Sequence, residues 1–395
     1  TSDKSDEEEV VSRKFPAVKK QESPAEFKKK VITRTIMAFA MIGFYMAMIT
    51  SGHLYCILCG VFIQFELFRE LVNVRYIRAR EKAMPLFRTL QWAYFLLAMF
   101  GTYGDNLNSF FLENQHFHYL THVTEYVDTI VFALYCVLFI ATVLTFKKGL
   151  IRFQLGQLMW TFVTVFFVVY QVKYIAATAL AGLFWFFFPM ATVVMNDVSA
   201  YFCGITMGRK IIDAPFISLS PNKTWEGFIG AGVLTVIFSF FFPWILSQFE
   251  WFICPADDIY IRPWVHQLTC TPHIVFQPAH YLMPEWVPMM GGNTLTLLPI
   301  QLHGVAYGLF ASLVAPFGGF MASAIKRAYN IKDFEALIPG HGGVFDRMDC
   351  QLLMISFTWV HYTTFIAPKT LSVARILAAV SLLSADDKVI ILQEV

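Results

Sequence analysis

Residues 323–350 carry polar side chains suited to phosphate and metal chemistry. The segment reads SAIKRAYNIKDFEALIPGHGGVFDRMDC and holds four cations, three aspartates, one histidine and three glycines, in a chain otherwise rich in Phe, Leu, Val and Ala. Carboxylates are hard oxygen ligands for Mg²⁺, and Lys and Arg neutralise phosphate oxygens. We therefore expect this segment to bind phosphates and a metal ion.

Each residue type in this segment suggests a role. Asp346 and Asp349 are three residues apart, so they share one helix face if residues 345–367 form one helix, and both would then point at one ion, with Asp333 nearby. Pro339 and the glycines that follow it would leave backbone amides open to an anion. The alternative is a solvated loop, which we disfavour because aspartates at a membrane boundary are costly without a cation. The phosphate-binding candidates here are Ser323, Lys326, Arg327, Lys332, Gly340, His341, Gly342, Gly343 and Arg347.

A second polar segment covers residues 196–226. Asp197 closes a long apolar run, and a carboxylate at the end of a spanning helix is a functional candidate. Lys223 lies among hydroxyl and amide groups that suit a phosphate or a base edge, namely Ser220, Asn222 and Thr224. A structural reading remains equally open, in which Thr224 caps the next helix and Glu226 lies in its first turn.

Composition places the chain in a bilayer. Of its 395 residues, 57% are hydrophobic and only 15% are charged. The net charge of +2 and the clumping of the cations between apolar runs argue against nucleic acid as a partner. A spanning helix needs roughly 20 apolar residues, and we predict an all-α polytopic membrane protein with about nine such helices, at 34–50, 53–69, 88–104, 126–146, 153–172, 175–195, 227–248, 300–322 and 351–367.

This pattern divides the chain into four regions. Residues 1–30 are predicted to be a disordered cytosolic tail, and 31–195 the N-terminal transmembrane helices. Residues 196–367 are predicted to be a catalytic transmembrane region that contains the polar loops 196–226 and 323–350. The side of the C-terminal segment, 368–395, stays open.

The positive-inside rule predicts the orientation, because Lys and Arg collect in the cytosolic loops. One set of loops contains most of the cations that lie near helix ends, among them Arg34, Arg75, Lys147, Lys223 and Lys326, whereas the other set, 51–53, 105–125, near 173 and 249–299, offers Lys173 and Arg262. The N-terminus and both polar loops should therefore face the cytosol.

The same topology decides how two further patterns are read. Asn222-Lys223-Thr224 matches a glycosylation acceptor but should lie on the cytosolic side. Cys254 and Cys270 lie in the opposite set of loops, on the side of the membrane where disulfides persist. The sequence leaves open whether a disulfide joins them.

The order of the polar residues resembles a known signature. The pattern S-x-x-K-R-x(4)-K-D-x(5)-P-G-H-G-G-x-x-D-R-x-D, from Ser323 to Asp349, is similar to that of the phosphatidate cytidylyltransferases, or CDP-diacylglycerol synthases. D-x-x-A-Y-F-x-G from Asp197 and S-P-x-K-T-x-E-G from Ser220 also resemble that family, in the same order. Two departures stand out. Bacterial members have an Asp where this chain has Gly319, and Glu335 replaces a usually small residue.

The resemblance implies transfer of the cytidylyl group of CTP to phosphatidic acid in the endoplasmic reticulum membrane, with Mg²⁺ as cofactor. Asp346 and Asp349, with Asp333 or Asp197, would hold the metal, while the cations contact phosphates and Ser323 and His341 orient them. The number of metal ions, a role for a monovalent cation, and a homodimer stay open. Two other functions compete: a CTP-dependent polyprenol or phytol kinase, and a membrane transporter without nucleotide chemistry.

Overall fold

The computed structural model of the chain describes residues 24–81, 86–113, 119–217, 220, 223–256, 269–282, 294–335, 337–340 and 342–367. Its α-helices are α1 Pro24–Ser51, α2 His53–Glu81, α3 Phe87–Glu113, α4 Thr121–Thr124, α5 Val127–Leu144, α6 Ile151–Val165, α7 Tyr174–Leu180, α8 Leu183–Met207, α9 Trp225–Leu246, α10 Glu250–Ile253, α11 Pro299–Leu313, α12 Pro316–Tyr329 and α13 Phe345–His361. π-Helical turns lie at Phe166–Tyr170 and Tyr362–Ile366, and a 3₁₀ turn at Ile274–Phe276. Strands β1, Ala279–Leu282, and β2, Thr294–Leu297, pair antiparallel, with Ala279 opposite Leu297.

The fold is an all-α polytopic membrane protein, as the sequence predicts. Within the described ranges, six helical segments are long and apolar enough to cross a bilayer: Ile32–Ser51, Val127–Leu144, Ile151–Leu180, Leu183–Met207, Trp225–Leu246 and Pro299–Tyr329. The other three predicted segments also fall in helices, α2, α3 and α13. The count of nine spans stays a prediction.

One predicted helix boundary is wrong. The sequence suggested a break near residue 173, but the chain stays helical through Lys173 and turns at Gly182, whose φ of +133° is readily accessible only to glycine. A contact of the Lys173 ammonium with the Tyr170 ring, 4.5 Å from its centroid, accommodates the cation within the helical segment.

Both polar loops are shorter than the sequence predicts. Because α8 continues to Met207, Asp197 lies inside a helix and the polar loop begins only at Gly208. Likewise α12 includes Ser323, Lys326 and Arg327, so the second loop covers residues 330–344.

Contacts between segments that are distant in sequence show which of them lie at the same end of the molecule. At one end, Arg34 Nε donates a hydrogen bond to the Gly340 carbonyl at 3.2 Å, which joins the N-terminal half of α1 to the second polar loop. At the other, Trp251 Nε1 donates to the Ile49 carbonyl at 3.2 Å. This grouping agrees with the two sets of loops derived from the positive charges.

A disulfide joins Cys254 and Cys270. It ties the end of α10 to the segment that leads to the β-hairpin, in the set of loops that the positive-inside rule assigns to the non-cytosolic side. The bridge that the sequence left open is therefore present in the fold.

Candidate active site

A cavity of about 350 Å³ lies between α8, α9, α12 and the loop that precedes α9. Its volume is within the range of small-molecule sites. Asp197 and Lys223 line it together with Asn196 and Thr224, and its remaining wall is mainly apolar, with Phe216, Phe228, Pro316 and Phe320. The cavity thus joins one anionic and one cationic group to a surface that suits an apolar ligand.

Two signature glycines bring α8 and α9 close together at this cavity. A Cβ atom at Gly227 would lie 3.2 Å from Gly204 Cα and 3.2 Å from the Ala200 carbonyl oxygen. Such contacts are tighter than side chains normally tolerate, so the small residues allow the helices to approach. This approach places Lys223, just before α9, within electrostatic range of Asp197 on α8.

Capping contacts hold the loop between these helices. Thr224 is the N-cap of α9, and its hydroxyl oxygen accepts from the Gly227 amide at 3.2 Å. The buried Glu226 carboxylate accepts from the amides of Ile211 and Ile212 at 2.9 and 2.8 Å, and from that of Arg209 at 3.2 Å. The capping interpretation of Thr224 is therefore confirmed, and Glu226 folds the preceding turn back onto the helix.

Aromatic packing sets the position of Lys223. The Phe216 ring stacks on Phe228 with centroids 4.3 Å apart and meets Trp225 edge-on at 4.7 Å. The Phe216 amide also donates to the Lys223 carbonyl at 3.0 Å. These contacts fix the loop against α9 and leave the Lys223 side chain exposed.

Asp349 lies across from Asp197. Burial raises the pKa of Asp349, which precedes the predicted span 351–367, to about 6, and the negative charge of Asp197 contributes to that increase. Two carboxylates in electrostatic contact favour a cation between them. Arg347 also lies within electrostatic range of Asp197.

Gly319 borders the same carboxylate. A Cβ atom at this position would lie 3.4 Å from Asp349 Oδ2. An aspartate here, as in the bacterial pattern, would therefore start next to Asp349, with its Cβ also 3.3 Å from Cys350 Sγ.

Asp346 has a different environment from Asp349, although both belong to α13. Its Oδ1 forms a 2.7 Å ion pair with Lys326 Nζ, and its Oδ2 accepts from the amides of Phe334 and Gly343, each at 3.1 Å. Both oxygens are thus engaged by protein donors. The carboxylate ties α12 and the second polar loop to the start of α13.

The glycine-rich turn is built around protein carboxylates. We expected its amides to face an anion from outside the chain, but the Gly343 amide donates to Asp346 and the Gly342 amide to the Ile338 carbonyl at 3.1 Å. The next two amides, of Val344 and Phe345, donate to Glu70 on α2 at 2.7 and 2.8 Å. The start of α13 therefore already holds an anion, supplied by another helix.

Glu335, which the sequence left unexplained, contacts the same region of α2. Its carboxylate forms a 2.6 Å ion pair with Arg69 and accepts from Asn73 Nδ2 at 2.6 Å. Arg69 also pairs with Glu66 at 2.9 Å.

Sequence reasoning missed Glu70 and Asn73. A signal was present, because Glu66, Arg69, Glu70 and Asn73 follow the i, i+3, i+4, i+7 spacing of one helix face. The predicted span 53–69 ends within this stripe, which divides its residues between a spanning helix and a loop.

The remaining predicted residues lie around this end of the fold. Arg327, Lys332, Asp333 and Arg347 are exposed, and Ser323 and Gly342 are half-buried. A Cβ atom at Gly342 would lie 3.4 Å from Asp333 Cγ, so Asp333 borders the glycine turn. Ser220 accepts a backbone hydrogen bond from Lys223 at 3.1 Å, whereas Asn222 and His341 lie outside the described residues.

The four candidate metal ligands do not form one cluster. Across the described ranges, no three His, Cys, Asp or Glu side chains are grouped so as to hold a metal. Mg²⁺ needs only one or two carboxylates when waters and substrate phosphates complete its shell. Asp197 and Asp349 fit that requirement, whereas Asp346 is neutralised by Lys326.

A bundle of apolar helices with carboxylates and cations at one end defines an integral membrane enzyme of phosphate chemistry. The model of the family described as "Cytidylyltransferase family" matches residues 32–365, and the chain belongs to this family.

Named relatives align along most of the chain. It is 37% identical over 384 residues to "Probable phosphatidate cytidylyltransferase" of Dictyostelium discoideum, covering 95% of this chain and 79% of that protein. It is 38% identical over 355 residues to "Phosphatidate cytidylyltransferase 1" of Arabidopsis thaliana, covering 88% and 82%. With "Phosphatidate cytidylyltransferase" of Saccharomyces cerevisiae it shares 38% identity over 363 residues, covering 91% and 78%.

Proposed function

We propose that this protein transfers the cytidylyl group of CTP to phosphatidic acid, giving CDP-diacylglycerol and pyrophosphate for phospholipid biosynthesis. The observation that carries the proposal is the alignment with phosphatidate cytidylyltransferases over 95% of the chain in the Dictyostelium case. The cavity beside Asp197 and Lys223 supplies a site for the chemistry.

The reaction needs two polyanions to meet. An oxygen of the lipid phosphate attacks the α-phosphorus of CTP, a new P–O bond forms, and the bond to the β-phosphate breaks to release pyrophosphate. The lipid phosphate is already ionised near pH 7, so the main task is to position the phosphates and neutralise their charge. Lys223 at the cavity, with Arg327, Lys332 and Arg347 exposed at the same end, supports that task.

We propose Asp197 and Asp349 as the residues that hold Mg²⁺. The ion, when bound, would neutralise charge on phosphate oxygens and on the leaving pyrophosphate. Asp346 and Lys326 would act by holding α12 and the second polar loop in place, since their charges satisfy each other at 2.7 Å.

The cavity walls favour a lipid as one substrate. Phe216, Phe228, Pro316 and Phe320 provide apolar surface next to the charged groups. Tyr201 and Ile205, on the α8 side of the cavity, are exposed on a helix apolar enough to span the bilayer. We propose that the glycerol and acyl portion of phosphatidic acid lies on this wall, with its phosphate towards Lys223.

We further propose an endoplasmic reticulum location, with the N-terminus and the site facing the cytosol. The cations of the loops around the site support this orientation through the positive-inside rule. A cytosolic nucleotide could then reach a lipid without crossing the membrane.

The assay that tests this function uses the purified protein in lipid nanodiscs that contain phosphatidic acid. We expect Mg²⁺-dependent release of pyrophosphate from CTP with formation of CDP-diacylglycerol, abolished when the metal is chelated. A polyprenol or phytol kinase would instead release CDP and phosphorylate an alcohol. Solute flux without turnover of CTP would support a transporter.

A further inference from the structure

The cytosolic end of α2 contacts the start of α13 through a buried carboxylate. Glu70 is fully buried, and it accepts hydrogen bonds from the amides of Val344 and Phe345 at 2.7 and 2.8 Å. The first amides of a helix lack partners within the helix, and they carry its positive dipole end. Val344, the N-cap residue of α13, makes no capping hydrogen bond with its side chain. Glu70 therefore caps this helix from outside.

The close approach of Glu70 explains a glycine of the signature. A Cβ atom at Gly343 would lie 2.6 and 2.7 Å from the two Glu70 carboxylate oxygens, well below normal contact distance. A side chain at residue 343 would displace Glu70 from the helix start. The glycine thus serves a contact within the protein, and its own amide donates to Asp346.

A second contact from α2 holds the loop that leads to this turn. Arg69 and Asn73 both bind the Glu335 carboxylate at 2.6 Å. The neighbouring residue Phe334 donates its amide to Asp346 at 3.1 Å, so the loop is fixed from two sides. The described part of this loop has little regular structure besides a bridge between Ile338 and Gly342. Its shape therefore depends on contacts of this kind.

We infer that Glu70, with Arg69 and Asn73, positions the signature loop and the start of α13 for catalysis. These α2 side chains act through residues 335 and 343–345, and they orient the turn of α13 that carries Arg347 and Asp349. Small displacements of reacting groups cost about 100-fold in rate. The inference rests on the proposed function, and it gives the N-terminal helices a part in the reaction.

The main test is a pair of substitutions that meet at one contact. Glu70→Ala should lower kcat by about 10- to 100-fold with a much smaller change in the KM for CTP. Gly343→Ala should cause a loss of similar size in the wild-type background. In the Glu70→Ala background it should cause little further loss, because the clashing carboxylate is gone.

The competing explanation makes a different prediction. If Gly343 is needed for approach of a substrate, Gly343→Ala will lower kcat by the same factor in both backgrounds, and that result would overturn the inference. The Arg69–Glu335 contact gives an independent check. Arg69→Gln, Glu335→Gln and the double variant should each lose about the same activity, whereas additive losses would count against a shared role.

A stability control separates positioning from folding. Leu67 is fully buried on α2 and has no polar group with which to hold the loop. Because Leu67→Ala would leave a cavity in the core, it should lower the melting temperature. The folded fraction of each variant is measured by thermal unfolding in detergent, and kcat is then calculated per folded molecule. If Glu70→Ala then retains as much kcat as Leu67→Ala, the inference fails. Wild-type protein that does not turn over CTP would contradict the proposed function instead.

Discussion

Lys326 Nζ lies 2.7 Å from Asp346 Oδ1, in an ion pair whose carboxylate side chain is only 4% exposed. The pair connects α12 to α13 across the second polar loop. Since the other oxygen of Asp346 accepts two backbone amides, this aspartate stabilises the loop, and its neighbour Asp349 is left to face Asp197.

Asp346→Asn should therefore act mainly on stability. Removing one member of a buried pair leaves an unpaired charge and costs about 3–5 kcal/mol. We expect a lower melting temperature and a lower kcat, with little change in the Mg²⁺ concentration that gives half-maximal rate. The double variant Lys326→Gln/Asp346→Asn should be more stable than Asp346→Asn alone. A Mg²⁺ requirement raised by Asp346→Asn would show instead that Asp346 binds the metal.

Asp197→Asn and Asp349→Asn should act on the metal. Each removes a charge that we assign to Mg²⁺ binding, and the loss of a few kcal/mol of charge stabilisation lowers the rate by about 100-fold. We expect the half-saturating Mg²⁺ concentration to rise in both variants, as measured by titration at saturating CTP. Near-normal turnover with an unchanged titration curve would reject this assignment.

Glu226→Gln should loosen the loop before α9. Its carboxylate accepts three amides from residues 209–212, and hydrogen bonds to a charged acceptor are stronger than those to a neutral one. Because this loop places Lys223 at the cavity, KM for a phosphate-bearing substrate should rise, as steady-state kinetics would report. Glu250→Gln, at an exposed helix start on the opposite end, is the matched control and should leave KM unchanged. Equal effects of the two substitutions would argue against a specific role for Glu226.

Removal of the disulfide should lower stability while the site remains intact. Cys254 and Cys270 are 16 residues apart, and a crosslink across such a loop contributes about 3 kcal/mol. Cys254→Ser should lower the melting temperature, and a reducing agent should do the same to the wild-type protein only. If a reducing agent leaves the melting temperature of the wild-type protein unchanged, the prediction is wrong.

The glycosylation acceptor at Asn222 tests the proposed orientation. Lys223, its middle residue, lies at the cavity end that we assign to the cytosol, where the glycosylation machinery does not act. We expect no mobility shift after endoglycosidase treatment of the protein from eukaryotic cells. An acceptor introduced after Cys254, on the disulfide-bearing side, is the positive control. A glycan at Asn222 would show that the true orientation is the reverse of the one we propose.

Local patterns were enough to predict the class of protein and much of the site. Apolar runs and clusters of cations are properties of short segments, so the membrane fold and the common end of Arg34 and the second polar loop could be inferred without coordinates. The predicted helix break near residue 173 is wrong, because Lys173 keeps a helical backbone and the chain turns at Gly182.

Only the tertiary structure decided what each charged residue of the site does. Asp346 and Asp349 look equivalent in the sequence, three residues apart on one helix, yet one meets Lys326 and the other faces Asp197. Glu70 and Gly343 belong to opposite halves of the chain, and their close approach follows from the packing of α2 against α13. Electrostatic and hydrogen-bond energies depend on distances between elements that the chain keeps far apart, and those distances exist only once the helices have packed.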